Sequence, residues 1–318
     1  MKQLVSFLIC TYNSPKLISK CLDSILNQKY KKKEIIIVDG GSNPETLKII
    51  EEYKAKFKNI RVFHNKNRLP EGYGNGKWMG WKKCRGEFVF IVDQDNELQG
   101  KNCLDEMLKP FKEGVFGCAC RLALNPNDNL TNKYISLIGT DPFFAYRSLD
   151  GIINLKKIGE DIKDFTIVQL NKNNLLITGG NCFIYKKKYI DKVGGYVQDT
   201  ENIVRLVERG YDEIAIPKKA STHHYAINGF VDFVRKKIKW ARTYKVKNGK
   251  FSYLPKNNEE TKYFILNLAY SMLILPNLII AIMQFLKTRE KAWFLHSIMP
   301  FITGFIYFLF SFMKFGSD

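Results

Sequence analysis

The N-terminal half of the chain alternates between short apolar runs and segments with helical spacing. Four runs, VSFLICTY, EIIIVD, IRVFH and EFVFIVD, are rich in β-branched or aromatic residues, which predicts buried strands. Helices are predicted between them, over Pro15–Asn27, Glu45–Phe57 and Lys77–Cys84. This order predicts an α/β fold with a mostly parallel central sheet and helices on both faces.

The C-terminal part is much more apolar than the rest. Two stretches, Tyr263–Leu286 and Ala292–Met313, flank the polar residues 287–291, and each exceeds the roughly 20 residues that span a bilayer. They predict a membrane hairpin, kinked near Pro276 and Pro300. The basic connecting turn runs against the positive-inside tendency, so a re-entrant or interfacial hairpin is one alternative. A buried helical pair in a soluble protein is another.

The segment before the tail, NGFVDFVRKKIKWARTYKVKNGK, has apolar residues at helical spacing and basic residues between them. It predicts either an interfacial helix on anionic lipid or a surface helix whose apolar stripe packs on the domain. The predicted organisation is therefore a catalytic domain over residues 1–227, an interfacial helix and linker over 228–261, and two apolar helices over 262–318.

Charge and cysteine content narrow the possible partners and compartment. The formal net charge is +19, from 50 basic and 31 acidic residues, which favours phosphates, nucleic acid or an acidic membrane face. No nucleic-acid-binding motif is present, so nucleic acid is not an expected partner. The seven cysteines include no C-x-x-C pair, which predicts buried, reduced thiols and suits the cytosol. No N-terminal signal peptide is predicted.

Polar residues follow three of the predicted strands. They are Thr11-Tyr12-Asn13, Asp39-Gly40-Gly41-Ser42 and Asp93-Gln94-Asp95-Asn96. Ligands of parallel α/β sheets bind beyond the carboxyl ends of the strands. Two carboxylates at alternate positions after a strand can point toward one hard cation, Mg²⁺ or Mn²⁺, with diphosphate oxygens completing its coordination. Asp93 and Asp95 are therefore the candidate metal turn.

Several segments, taken together and in order, resemble the family 2 glycosyltransferases of the GT-A fold. They are VSFLICTYNSPKLISKCLDSILNQ, EIIIVDGGSNPET, GEFVFIVDQDN, TGGNCFIYKKKYIDKVGGY and QDTENIVRLVERGY, and they cover most of positions 5–225. The resemblance implies a Rossmann-like GT-A domain, a nucleotide-sugar donor, a divalent metal and one inverting displacement.

The resemblance also implies roles for individual residues. Asp199 matches the catalytic base, which deprotonates an acceptor hydroxyl as its oxygen attacks the anomeric carbon. Asp93 and Asp95 match the metal turn, and His223 or His224 is a candidate further ligand. Donor contacts are implied or suggested for Thr11, Tyr12, Asn13, Asp39, Ser42, Lys77, Asp93, Gly180 and Asn181, with Gly179 beside the last two.

The chain departs from the family pattern at three places. Gln198 precedes Asp199 where the family has glutamate, although the base itself is retained. Trp78 replaces an asparagine, which removes any polar contact expected there. The segment KKIKWAR is only distantly similar to the acceptor-side motif of processive members, with Trp240 matching and Lys239 in place of arginine.

The expected activity is transfer of a sugar to a hydroxyl acceptor at the cytosolic face of the cell membrane. The expected acceptor is a lipid-linked glycan or a cell-surface polysaccharide precursor. A polyprenyl- or dolichyl-phosphate sugar synthase is an alternative, although a phosphate acceptor is already ionised and needs no base. A catalytically inactive protein that binds an anionic membrane is a second alternative. The sequence leaves the donor and the oligomeric state open.

Overall fold

The structure is a computed structural model. It describes residues 3–65, 73–139, 141–144, 159–171, 179–246 and 258–312 of the 318-residue chain. The chain divides into two compact units, one of Met1–Ala123 with Ile158–His224 and one of Leu124–Lys157 with Tyr225–Asp318. The sequence analysis placed residues 124–157 in the catalytic domain, whereas the structure groups this segment with the C-terminal residues.

Twelve strands occur within the described residues. They are β1 (Val5–Thr11), β2 (Lys33–Asp39), β3 (Ile60–His64), β4 (Phe88–Ile91), β5 (Asn96–Leu98), β6 (Gly117–Ala119), β7 (Arg121–Leu122), β8 (Gly159–Ile162), β9 (Phe165–Gln169), β10 (Phe183–Lys186), β11 (Glu213–Pro217) and β12 (Ser221–His224). The four strands predicted from apolar runs are β1 to β4.

Nine of these strands form the central sheet of the first unit, in the order β3-β2-β1-β4-β10-β6-β11-β9-β8. β9 and β10 run opposite to the other strands, so the predicted mostly parallel sheet is confirmed. β1 and β2 pair in parallel register from Val5 opposite Lys33 to Thr11 opposite Asp39. Their polar carboxyl ends therefore lie side by side. A smaller sheet, β5-β12-β7, adds β12 next to the residues that follow β4.

The helices within the described residues are α1 (Pro15–Leu26), α2 (Pro44–Lys56), α3 (Gly76–Trp81), α4 (Cys103–Leu108), α5 (Leu130–Ile138), α6 (Lys187–Lys192), α7 (Asp199–Val207), α8 (Phe230–Val246), α9 (Asn258–Ser271), α10 (Ile274–Thr288) and α11 (Met299–Phe312). Short 3-10 helices cover Lys109–Glu113, Pro142–Phe144 and Lys291–Ser297. The predicted helices at 15, 45 and 77 correspond to α1, α2 and α3. All seven cysteines are free thiols, as expected.

The core of the first unit lies between the sheet and its helices. Every residue of β2 is buried, as expected for a strand that is covered on both faces. α1 buries Ile18, Cys21, Leu22 and Ile25, which lie three or four residues apart along one face. The same spacing was the basis of the helix prediction.

The second unit has its own apolar cluster. Tyr134 and Ile138 of α5 pack there with Phe233 of α8, Trp293 and Met299. These contacts explain why residues 124–157 group with the C-terminal helices. The apolar stripe of α8 thus packs inside this unit, which agrees with the surface-helix interpretation and leaves the interfacial one open. The predicted linker includes residues 247–257, which lie outside the described residues.

The first apolar stretch of the tail is not one straight helix. Ile265–Ser271 and Ile274–Thr288 are bent by 73° at the break between them. Pro276 lies in the first turn of α10, where its missing N–H costs no intrahelical bond, so the expected kink is a helix boundary. Within the described residues, Lys291–Phe310 is the one helical stretch that is long and apolar enough to cross a membrane. The two bent pieces make a second candidate only if they are treated as one span.

Candidate functional site

The ends of β1 and β2 are fastened to each other by side-chain hydrogen bonds. The backbone N–H of Asn13 donates to Ser42 Oγ at 3.0 Å, and the N–H of Asn43 donates to Asn13 Oδ1 at 2.8 Å. Asn13 has a φ of +47°, a left-handed conformation that asparagine tolerates better than most residues. Tyr12, between them, is half exposed at this edge. The two predicted donor loops therefore form one surface.

Asp39 organises the second of these loops. Its carboxylate accepts hydrogen bonds from the N–H of Gly41 at 2.8 Å and of Ser42 at 3.1 Å, and His64 Nδ1 lies 3.4 Å away. Burial alone would raise the pKa of Asp39, but the bonds from Ser42, Gly41 and His64 outweigh it and lower the pKa. Asp39 is thus ionised and holds the loop in place through these bonds. Its contact with the nucleobase of the donor stays a prediction.

Gln94 joins the third strand end to the first. Thr11 Oγ1 donates to Gln94 Oε1 at 2.6 Å, and the N–H of Tyr12 donates to the same oxygen at 2.9 Å. No role is predicted for Gln94 from the sequence. Its role depends on the β1–β4 pairing, and the only sequence signal for it is its position directly after a strand.

Lys77 connects the metal turn with the predicted base. Its Nζ lies 3.3 Å from Asp93 Oδ1 and 3.3 Å from Asp199 Oδ2, and it donates to the carbonyl of Gly180. Burial would lower the pKa of Lys77, yet the carboxylates of Asp199 and Asp93 raise it above its ordinary value. Burial raises the pKa of Asp93, and Lys77 opposes that shift. Lys77 is therefore a permanent cation between two carboxylates.

Asp199 is the first residue of α7, and its surroundings fix its position. Gln198 caps the helix, its Oε1 accepting from the N–H of Glu201 at 2.8 Å. The hydroxyl of Tyr196 donates to Asp199 Oδ1, and the ring of Tyr196 stacks on Trp81. About a third of the Asp199 side chain stays exposed. The carboxylate is thus oriented by a helix start and a tyrosine, and still reaches solvent.

Gly180 is packed directly against the predicted base. A Cβ atom at this position would lie 1.7 Å from Asp199 Oδ2 and 1.8 Å from Asp199 Cγ. Gly179 before it has a φ of +69°, which favours glycine, and its carbonyl accepts from Tyr185 Oη at 3.0 Å. Together the two glycines allow the backbone to approach Asp199, as expected for the floor of the site.

A second cluster surrounds Asp95. His224 Nε2 lies 3.4 Å from Asp95 Oδ1 and 3.5 Å from Asn181 Nδ2. Asn181 Oδ1 accepts from Asn96 Nδ2 at 2.9 Å, which links this cluster to the turn after β4. Asp95 and His224 offer an oxygen and a nitrogen donor that could both reach one divalent ion. No group of three or more such side chains forms a metal cluster among the residues that the structure describes.

The two candidate histidines have different positions. Successive side chains of a strand point to opposite faces, so His223 points away from the face that carries His224. His223 is only 1% exposed, whereas His224 is partly exposed beside Asp95. This geometry favours His224 as the ligand. The other predicted site residues lie in the three groups described above, around Ser42, Lys77 and Asp95.

Comparison with known proteins assigns this arrangement to a family. The family model described as glycosyl transferase family 2 matches residues 6–194. Glycosyltransferase GlyG of Streptococcus pneumoniae serotype 4 is 28% identical over 154 residues, which cover 48% of this chain and 50% of GlyG. The GalNAc(5)-diNAcBac-PP-undecaprenol beta-1,3-glucosyltransferase of Campylobacter jejuni is 32% identical over 130 residues, which cover 41% of each protein. The chain thus spans half or less of the length of these relatives.

Solved structures support the fold. The mannosyltransferase PcManGT of Pyrobaculum calidifontis, solved in complex with GDP-Man and Mn²⁺, matches with a TM-score of 0.56 and 16% identity. The match covers 97% of this chain and 88% of that protein. At this identity the likeness shows the GT-A fold alone, and the expected fold class is confirmed.

Proposed function

The chain belongs to glycosyl transferase family 2, and from this premise we propose that it moves a sugar from a nucleotide-sugar donor to an acceptor hydroxyl with inversion. The observation that carries the proposal is the position of Lys77 Nζ, 3.3 Å from both Asp93 and Asp199. It brings the predicted base, far along the chain, next to the turn expected to hold the donor. Because these groups converge, Asp199 could deprotonate the acceptor while the turn at Asp93 supports the departing diphosphate in the same displacement.

In the proposed mechanism, Asp199 accepts the proton of the acceptor hydroxyl as that oxygen attacks the anomeric carbon. Tyr196 and Lys77 hold the carboxylate in place, so little reorganisation is needed when the acceptor binds. No covalent intermediate would be required, because the acceptor oxygen would attack from the side of Asp199 while the nucleoside diphosphate departs on the other side of the anomeric carbon. Tyr12, Asn13 and Ser42 form the loop surface on which the nucleotide would bind, and the buried Thr11 bonds to Gln94.

The donor set at the third strand end suits a divalent metal. Asp95 and His224 would hold Mg²⁺ or Mn²⁺, with Asp93 on the side facing Lys77. When bound, such an ion neutralises charge on the leaving diphosphate. Asn181 contacts His224 and also accepts from the N–H of Asp93 at 3.3 Å, so it would orient both sides of the turn.

We also propose that the reaction takes place at the cytosolic face of a membrane, with a lipid-linked glycan or polysaccharide precursor as acceptor. Support comes from one exposed apolar face of α10, which is formed by Leu275, Ile279, Ile282, Met283 and Leu286. Exposed basic residues follow it at Lys287, Arg289 and Lys291. An apolar face beside cations suits an anionic lipid surface. α10 alone, at about 22 Å, is shorter than the roughly 30 Å core of a bilayer, which fits an in-plane or re-entrant position.

The test is a screen of nucleotide sugars with membrane-extracted lipids, in which release of nucleoside diphosphate is measured with and without Mg²⁺ or Mn²⁺. We expect one donor to be consumed faster when acceptor lipid is present. Asp199→Asn should lower transfer about 100-fold or more, with nucleotide affinity retained. Asp212→Asn, a surface carboxylate bonded to Gln169, is the matched control and should behave as the wild type.

The outcomes separate the alternatives. A rate of transfer by Asp199→Asn equal to that of the wild type would contradict the assignment of Asp199 as the base. Equal transfer to pure polyprenyl phosphate by the wild type and by Asp199→Asn would favour the polyprenyl-phosphate sugar synthase, since that acceptor needs no base. Absence of turnover with every donor, with and without metal, would favour the inactive membrane-binding protein.

A further inference from the structure

Two aromatic side chains at the start of α3 have no part in the mechanism above. Tyr73 is 63% exposed, and its ring meets that of Trp78 edge to face, with centroids 6.4 Å apart. The ammonium group of Lys82 lies over the Trp78 ring, 3.4 Å from its centroid. Large aromatic side chains are usually well buried, so an exposed tyrosine held against a partly buried tryptophan by ring and cation contacts is an unusual surface. We refer to Tyr73 and Trp78 as the aromatic pair.

The aromatic pair is fixed next to the predicted base by two independent connections. Trp78 directly follows Lys77, which contacts Asp199, and the N–H of Trp78 donates to the cap residue Asn75 at 2.7 Å. Burial would lower the pKa of Arg205 of α7, but Glu201 and Tyr73 raise it, so Tyr73 lies near the helix that begins at Asp199. The pair therefore lies beside the first two turns of the helix that presents the base.

A polar cleft lies on the same helix. It has a volume of about 410 Å³ and is lined by Val193, Arg205, Glu208 and Arg209. This volume falls within the range of small-molecule sites in proteins. Arg205 lines the cleft and belongs to α7, so the cleft lies at the far end of the helix that begins at Asp199.

The aromatic pair and the cleft offer the two kinds of group that a sugar ring needs. A pyranose has an apolar face of C–H groups, which can lie against an aromatic ring, and a rim of hydroxyls. Guanidinium groups donate to such hydroxyls and a carboxylate accepts from them, and the cleft is lined by both, at Arg205, Arg209 and Glu208.

We propose that Tyr73 and Trp78 form an acceptor subsite that stacks one sugar ring, so that the acceptor is a glycan and its hydroxyl is presented to Asp199. The inference rests on the proposed function and deepens it, because it names the chemistry of the acceptor. A bare lipid phosphate offers no ring to stack, and the aromatic pair would give it no advantage.

The test uses the full-length protein in detergent with the donor found in the screen above. Transfer is measured to a panel of octyl glycosides, to octanol, to polyprenyl phosphate and to water. We expect transfer to octyl glycosides to exceed transfer to octanol, and Trp78→Ala to raise the KM for the best glycoside about tenfold. The donor KM should change by a much smaller factor, and Trp78→Phe should recover most of the loss because it keeps a ring.

Phe57→Ala is the matched control, since Phe57 is an exposed aromatic residue at the end of α2, and it should keep wild-type values. Thermal unfolding of each variant shows whether it is folded. An unchanged glycoside KM in folded Trp78→Ala, or an equal loss with octanol and with glycosides, would overturn the subsite. Failure of the wild type to consume any donor, even with water, would instead overturn the proposed function.

Discussion

Replacing Gly180 by alanine should misplace the catalytic base without altering the donor loops. The new Cβ would lie 1.7 Å from Asp199 Oδ2, whereas ordinary contact begins at about 3.4 Å. The carboxylate or the backbone must therefore move by roughly 3.4 − 1.7 = 1.7 Å. Asp199 cannot turn aside freely, because Tyr196 donates to one of its carboxylate oxygens and Lys77 contacts both.

The size of the effect follows from that displacement. A misplacement of about 1 Å in a reacting group can cost about 100-fold in rate, which is about 2.7 kcal/mol of transition-state stabilisation. We therefore expect Gly180→Ala to lower kcat for transfer about 100-fold or more. The affinity for the nucleotide alone should change little, because Thr11, Asn13 and Ser42 lie on the other strand ends, whereas Gly180 lies at the floor of the site. A fall in kcat and kcat/KM by the same factor is the signature of an interaction that matters in the transition state.

The assay is steady-state transfer with nucleoside diphosphate release as the readout, beside a binding titration with the nucleotide. Asp212→Asn, the surface substitution used above, is the control and should keep wild-type values. Transfer by folded Gly180→Ala within threefold of the wild type would refute the placement of Asp199. Loss of nucleotide binding by Gly180→Ala would refute the separation of base and donor loops.

Two further predictions concern the metal turn and the Asp39 loop. His224→Asn should raise the Mn²⁺ concentration for half-maximal activity about tenfold or more, and an unchanged requirement would exclude His224 as a ligand. Asp39→Asn should lower the free energy of unfolding by about 1 to 3 kcal/mol at pH 7, because the buried carboxylate accepts bonds from Gly41 and Ser42. Since folding lowers the pKa of Asp39, its contribution is present above the unfolded value near 3.9 and fades as the pH falls through the folded value. If the thermal unfolding midpoints of the wild type and Asp39→Asn differ by the same amount at pH 7 and at pH 3, this account of Asp39 is wrong.

The sequence predicts the first half of the sheet well because its signals there are local. A fully buried parallel strand must be apolar on both faces, so β1, β2 and β4 appear as uninterrupted runs. Once three such strands are parallel neighbours, their carboxyl ends must meet at one edge. The grouping of Thr11, Asp39 and Asp93 therefore needed no knowledge of loop structure.

The contacts that complete the site could not be predicted in the same way. Lys77 and Asp199 belong to short helices, and their approach depends on the backbone at Gly180. Nothing in the local pattern around Lys77 indicates a carboxylate partner so far along the chain. The same holds for His224, which reaches Asp95 only because β12 pairs with β5 in the small sheet.

The tail shows a different limit of sequence reasoning. Hydropathy counts apolar residues but does not show where a helix ends. The break before α10 leaves two helical pieces that differ in direction by 73°, although the apolar stretch runs through it. Buried polar residues on both sides, Ser271 and Asn277, indicate protein packing along part of this stretch. A long apolar run therefore predicts helical structure more safely than it predicts a complete span.

The departure at position 198 can be understood from the cap that Gln198 provides. Gln198 is only 5% exposed, so an ionised glutamate there would lose most of its hydration and would need a new partner. An amide oxygen accepts the N–H of Glu201 as a carboxylate would, without adding a charge beside Asp199. Lys77 then pairs with two carboxylates, those of Asp93 and Asp199, and no third carboxylate at position 198 competes for its charge. The substitution thus preserves the helix start that presents the base and the ion pair that holds it.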